Sequence, residues 1–168
     1  MDHDQGPAGN GWLAALESSG LGDTLRQSVW LYPLVEVVHI LGFALLVGAI
    51  LAFDLRLLGV RSARLPADAL SRLLLPVAVT GFALAVPTGV LLFVTEATSL
   101  VRNPMFLAKM ALIILALANI AAFHSHVGRH MAAWSDAERP PRAARLAGAA
   151  SLTLWIGVLA CGRLIAYV

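Results

Sequence analysis

The sequence predicts an all-α integral membrane protein, a four-helix bundle with both termini on the periplasmic side. Three observations carry this. Of the 168 residues 59% are apolar and only 13% charged, whereas a soluble domain is nearer half apolar and a quarter charged. The apolar residues gather into four runs of about twenty, the length at which a helix crosses a bilayer. Eight of the twelve Lys and Arg residues fall in just two of the connections. A soluble two-domain enzyme is excluded, and so is a nucleic-acid partner, because the net charge is only +2 and scattered. The single cysteine excludes a disulfide scaffold and a cysteine-built zinc site.

Residues 1–30 are expected to form an interfacial segment on the periplasmic side, and residues 31–168 the bundle. In that first segment Trp12–Leu16 and the stretch around Leu25 are short amphipathic pieces broken by Gly20 and Gly22. They either lie in the outer interface, apolar side down, or form a plain surface tail. The segment is too polar and acidic for a cleavable signal peptide, so the first span must act as its own insertion signal. The spans are Leu31–Phe53, Leu73–Thr95, Met105–Val127 and Ala147–168. In lipid such runs can only be helical, because every backbone amide needs an internal partner. Pro76 and Pro87 should bend the second span. Pro140 and Pro141 stop any continuation of the third. Glycines within the spans, Gly42, Gly48, Gly81 and Gly89 among them, are packing positions.

Orientation follows from the basic residues. Arg56, Arg61, Arg64 and Arg72 follow the first span, and Arg129, Arg139, Arg142 and Arg145 follow the third. The opposite side has Arg26 and Arg102, with Lys109 and Arg163 just inside the spans. The positive-inside rule puts the two basic loops in the cytoplasm. Trp12, Trp30, Tyr32 and Tyr167 then all fall at the outer interface.

Polar residues inside lipid are costly, so each is a functional hypothesis. Glu36 and His39 share one face of the first span. With 1.5 Å of rise per residue, Glu36 lies roughly 9 Å and His39 roughly 13 Å below Trp30. Lys109, Arg163 and Thr88 come out at roughly 8–10 Å from their own outer ends. These residues share one outer-leaflet layer, in which Glu36 is expected to pair with Lys109 or Arg163. His124 lies on the order of 15 Å deeper than His39, too far for the two to grip one haem iron. His39 itself can be a hydrogen-bonded core histidine, a haem or metal ligand, or a proton relay. His126 and His130 read as interfacial, Met105 and Cys161 as packing, and Met110 is near enough to the His39 layer to be a sixth iron ligand.

Three stretches together resemble an uncharacterised bacterial family of small four-helix membrane proteins. They are Trp30-Leu-Tyr-Pro-Leu-Val-Glu-Val-Val-His39 with Asp54-Leu-Arg-Leu-Leu-Gly59, then Asn103-Pro-Met-Phe-Leu-Ala-Lys109 with Asn119 and Phe123-His124, and then Ser151-Leu-Thr-Leu-Trp155 with Gly162-Arg163-Leu-Ile-Ala-Tyr167. More distantly, a histidine early in the first span and a lysine opening the third resemble the membrane-bound protoporphyrinogen oxidases and the copper-resistance membrane proteins. The oxidase resemblance implies haem b at His39 and a role in activity for Lys109. The expectation is therefore a redox protein of the bacterial inner membrane that passes electrons between a periplasmic partner and quinone. His39 would ligate the iron, Lys109 and Arg163 would meet the propionates, and Glu36 would fix the His39 ring or relay protons. Glu36 and Lys109 are the expected catalytic pair. The iron would be five-coordinate or take Met110 or Lys109 as a weak second ligand. The alternatives are metal-ion handling or transport through Glu36 and His39, or a membrane anchor subunit. The partners implied are the bilayer, quinone, a periplasmic redox protein and a second copy of the chain.

Overall fold

A computed structural model describes residues 11–60, 65–137 and 139–167. Within them the chain is helical throughout, with no strand. Two short helices, α1 (Gly11–Glu17) and α2 (Gly20–Gln27), precede the first long helix, α3 (Leu31–Leu57). Then follow α4 (Ala67–Thr95), the short α5 (Ala97–Arg102), α6 (Pro104–Ser125), the single turn α7 (Met131–Trp134) and α8 (Arg142–Leu164). The stretches containing α3, α4, α6 and α8 are each long and apolar enough to cross a membrane. Only 11–28% of the most apolar stretch of each is buried inside the protein. Apolar side chains turned outward on that scale have lipid as their natural solvent. This is a multi-pass membrane protein.

The helix ends extend past the lipid-length runs because polar side chains hold them. α3 continues four residues beyond Phe53 and stops at Gly59, whose φ of 79° suits only glycine well. There Val60 N donates to Leu55 O and Gly59 N to Arg56 O, both at 3.1 Å, closing a Schellman motif. α4 starts six residues before Leu73, and its first amides are capped from another loop. Ser135 O accepts from Ala67 N at 3.1 Å, and Ser135 Oγ accepts from Asp68 N at 3.0 Å. α6 opens on Pro104 with Asn103 as cap, its side-chain oxygen accepting from Met105 N and Phe106 N. Pro76 and Pro87 both lie inside α4, which continues through them.

α3 lies against α4 and α8, and α6 lies against α8, so the long helices stand in the order α4, α3, α8, α6. The α3–α4 contact is backbone on backbone. A Cβ added at Gly42 would sit 2.8 Å from Ala85 N, and one at Gly81 would sit 2.6 Å from Gly42 O. Neither space admits a side chain, so these two glycines fix the helix crossing. The central core joins Leu46 and Val47 of α3, Ala116 of α6, and Trp155 and Val158 of α8. α4 and α6 meet near the terminal end of the bundle, where the Phe93 and Phe106 rings stack with centroids 5.7 Å apart. Toward the loop end a groove separates them.

α1 and α2 dock on the terminal end of the bundle. Leu13 and Leu25 are buried there, Glu17 Oε1 accepts from Thr98 N at 2.6 Å, and Arg26 donates to Thr95 O at 3.3 Å. Gly20 and Gly22 do not break this segment. They lie inside α2, and the break falls at Ser18 and Ser19, the latter capping α2 through Gly22 N. Serine wins because its hydroxyl satisfies an orphan amide that the glycines cannot.

Candidate functional site

The terminal half of the bundle brings together part of the expected polar layer. His39 reaches from α3 across to α4, where its Nδ1 lies 2.9 Å from Ala85 O and 3.1 Å from Thr88 Oγ1. A carbonyl can only accept, so Nδ1 carries the proton and Nε2 keeps its lone pair. Pro87 stands in the same turn of α4 and cannot donate to the helix there. The Thr88 hydroxyl in turn donates to Leu84 O at 2.6 Å. Gly89 makes room for the imidazole, since a Cβ there would lie 3.0 Å from His39 Cε1. On the other side the His39 ring stacks on Phe43, centroids 6.4 Å apart. Lys109 Nζ stands 6.0 Å from the Phe43 centroid and packs against Gly162 of α8. His39, Phe43 and Lys109 thus form one cluster from α3 and α6, backed by α4.

The remaining expected members stand apart. Glu36 is exposed on α3, and its expected ion pair with Lys109 or Arg163 is not formed. Among the described residues the ion pairs within 4.0 Å are Arg26–Asp23 and Arg72–Asp68. The helical face explains this: residue 36 shares a stripe with His39, but the α3–α4 crossing at Gly42 turns that stripe so that only His39 faces inward. Arg163 instead donates to Tyr167 Oη at 2.6 Å and lies over its ring, 4.9 Å from the centroid. Met110 is exposed on the outer face of α6, 41% accessible, and so points away from the cluster. His124, exposed near the end of α6, binds Ile120 O through Nδ1 at 2.9 Å.

The loop half holds two charged residues buried almost completely, Asp54 at 4% and Arg56 at 3% exposure. Arg56 is therefore not a loop charge, as its place in the basic count implies, but a buried tie. Its Nε donates to Leu65 O at 2.8 Å, and its Nη2 donates to Ser135 O and Ala137 O at 2.8 and 3.3 Å. Ser135 Oγ also donates to Asp68 Oδ1 at 2.6 Å, so one arginine and one serine lock both loops onto the bundle. Arg61 and Arg64, counted with Arg56 for the orientation, lie outside the described residues.

Asp54 faces the other way, into the groove between α4 and α6. The cavity there has a volume of about 290 Å³. Its floor is α3 and α8, with Asp54, Ser151 and Trp155 among the residues that line it. Its walls are apolar side chains of α4, such as Leu75, Val79 and Phe82, and of α6, such as Leu117 and Phe123. Asp54 Oδ2 and Trp155 Nε1 are buried without a hydrogen-bond partner among the described residues. Sequence reasoning missed this pair. The available signal was Asp54-Leu-Arg-Leu-Leu-Gly59 itself, two charges on opposite faces of a helix that runs on to a glycine stop.

A family model matches residues 16–168 and so takes in all four long helices. The chain belongs to DUF6644, a family of unknown function. The expected kinship with small four-helix membrane proteins agrees with the four apolar helices. Neither curated proteins nor solved structures give a significant match, so the likeness to protoporphyrinogen oxidases and copper-resistance proteins has no support there.

Proposed function

We propose that this DUF6644 protein is a redox protein of the bacterial inner membrane that holds haem b on His39 and exchanges electrons between a periplasmic partner and quinone. The observation that carries the reading is the placement of His39 Nδ1, 2.9 Å from Ala85 O and 3.1 Å from Thr88 Oγ1. The Nδ1–H is held by Ala85 O and Thr88, which is how proteins orient a histidine whose Nε2 donates to a metal. Among the described residues no three His, Cys, Asp or Glu side chains gather around a common point. A single histidine cannot retain a bare ion, but it suffices for an iron that already has four porphyrin nitrogens. This favours haem over metal-ion transport.

Haem, when bound, supplies a one-electron couple, and the chain supplies the rest. Ala85 O and Thr88 fix the imidazole plane. Phe43 shields one flank of the ring, and Lys109 offers the cation nearest to it for a propionate. Arg163 stands at the rim, already tied to Tyr167. Glu36, exposed, does not hold His39. Met110 is exposed on α6, so His39 would hold the group, with Lys109 beside it. The arginine distribution puts both termini, and hence the His39 layer, on the periplasmic side. A periplasm-active reporter joined after residue 168 should be active, and one inserted at Pro140 should be inactive; the opposite pattern reverses the orientation.

Haem content tests the reading. Protein from haem-replete cells should show a Soret band that His39→Ala abolishes and His124→Ala preserves. Colourless protein refutes it, and loss of the band with His124→Ala alone moves the cofactor to the other half of the bundle.

A further inference from the structure

We propose that the α4–α6 groove binds a lipid-soluble hydroquinone, with its ring between Asp54 and Trp155. This goes beyond the haem reading and stands whether or not His39 carries iron. Four observations converge. The cavity of about 290 Å³ lies near the lower end of the range of small-ligand sites, roughly 300–1,000 Å³. Its walls include side chains that are also open to lipid, Leu75 at 51%, Val79 at 58% and Phe82 at 40% exposure, so the path into it runs from the bilayer. The lining is almost wholly apolar, and beneath it two buried polar atoms lack partners among the described residues, Asp54 Oδ2 and Trp155 Nε1. Those residues are 96% and 98% buried, their exposures being 4% and 2%.

The chemistry of the two atoms selects the occupant. The Asp54 oxygen needs a hydrogen-bond partner, and the indole N–H, which can only donate, needs an acceptor. Lipid acyl chains offer neither, so an acyl chain in the groove would leave both atoms unpaired, at a substantial desolvation cost. A hydroxylated ring offers both. Asp54 lies against Ser151, and Trp155 stands one turn further along α8 on the same face, about 6 Å away by helical spacing. A ring with oxygens at opposite corners can therefore give one hydroxyl to Asp54 and accept from Trp155 with the other. Asn119 is held in place through one amide N–H, which donates to Ala147 O at 3.0 Å. The ring's apolar tail then lies between Val79 and Leu117 toward lipid. His124, which also lines the groove, stands at its loop-end mouth.

The test uses the full-length protein in detergent under reducing conditions, with tritiated decylhydroquinone and its dimethyl ether as probes. The expected result is saturable binding of the hydroquinone. The ether, which keeps the ring and tail but has no donor, should bind about tenfold more weakly, the worth of one buried hydrogen bond. Asp54→Leu should weaken hydroquinone binding by a similar factor. Val79→Trp, at a lipid-facing position that folding does not depend on, should block it. His39→Ala should leave it unchanged, which separates this site from the haem reading. Equal binding of hydroquinone and ether, or undiminished binding to Val79→Trp, overturns the proposal and makes the groove a lipid-filled crevice.

Discussion

The two halves of the bundle treat buried polar groups in opposite ways. In the terminal half, His39 is satisfied by a neighbouring backbone carbonyl and hydroxyl, Lys109 packs against Phe43 and Gly162, and Glu36 and Arg163 are exposed. In the loop half, Arg56 is spent on three carbonyls while Asp54, two residues earlier, faces a groove with an unpartnered oxygen. A polar residue in lipid is thus not one kind of signal. Where the backbone of an adjacent helix is within reach, through Gly42, Gly81 and Gly89, it is absorbed into packing. Where helices part, as α4 and α6 do, one of its atoms stays without a partner among the described residues.

That division can be broken by substitution, and the largest effect is expected where the loops are tied down. Arg56→Leu removes hydrogen bonds to three carbonyls and should cost about 3 kcal/mol or more in denaturant unfolding, with chain cleavage by added protease shifting to the loops around residues 65 and 137. A loss under ~1 kcal/mol would mean that water replaces the guanidinium. Gly81→Leu should follow, at about 1–3 kcal/mol, because the side chain has no space against the α3 backbone. His39→Leu loses one hydrogen-bonded contact and should cost about 1–2 kcal/mol in apoprotein.

Asp54 should answer with the opposite sign. Asp54→Leu replaces a poorly satisfied buried carboxyl with an apolar side chain, and should raise the thermal midpoint in detergent, by about 1 kcal/mol in stability terms, while removing ligand binding. A fall in the midpoint would show that Asp54 is as well satisfied as His39. Glu36→Gln should be the smallest effect, within about 0.5 kcal/mol, as for other exposed positions. A loss of several kcal/mol there would restore the ion pair that the structure lacks.

Much of the architecture was legible in the sequence, because twenty-residue apolar runs have one solution in a bilayer. His39 and Lys109 were legible too, as polar residues at matching depth. Depth, however, does not give the direction in which a side chain points. Glu36, Met110 and Arg163 share the His39 layer in height but face outward or toward Tyr167, and that depends on how Gly42 and Gly81 set the α3–α4 crossing. The groove was illegible for a similar reason. It exists because α4 and α6 stand at the two ends of the helix row, and no feature of either helix alone announces that order. Arg56 was misread because charge counting cannot tell a loop arginine from one whose helix runs past the lipid boundary.

The central claim, that His39 Nε2 is the iron ligand of the terminal half, is tested most directly by ligand replacement. His39→Gly protein should bind no haem alone and should recover the Soret band when imidazole is supplied, since the freed space beside Gly89 and Phe43 admits the lost ring. A Soret band that is present in His39→Gly without imidazole, or absent from the wild-type protein, would contradict the account.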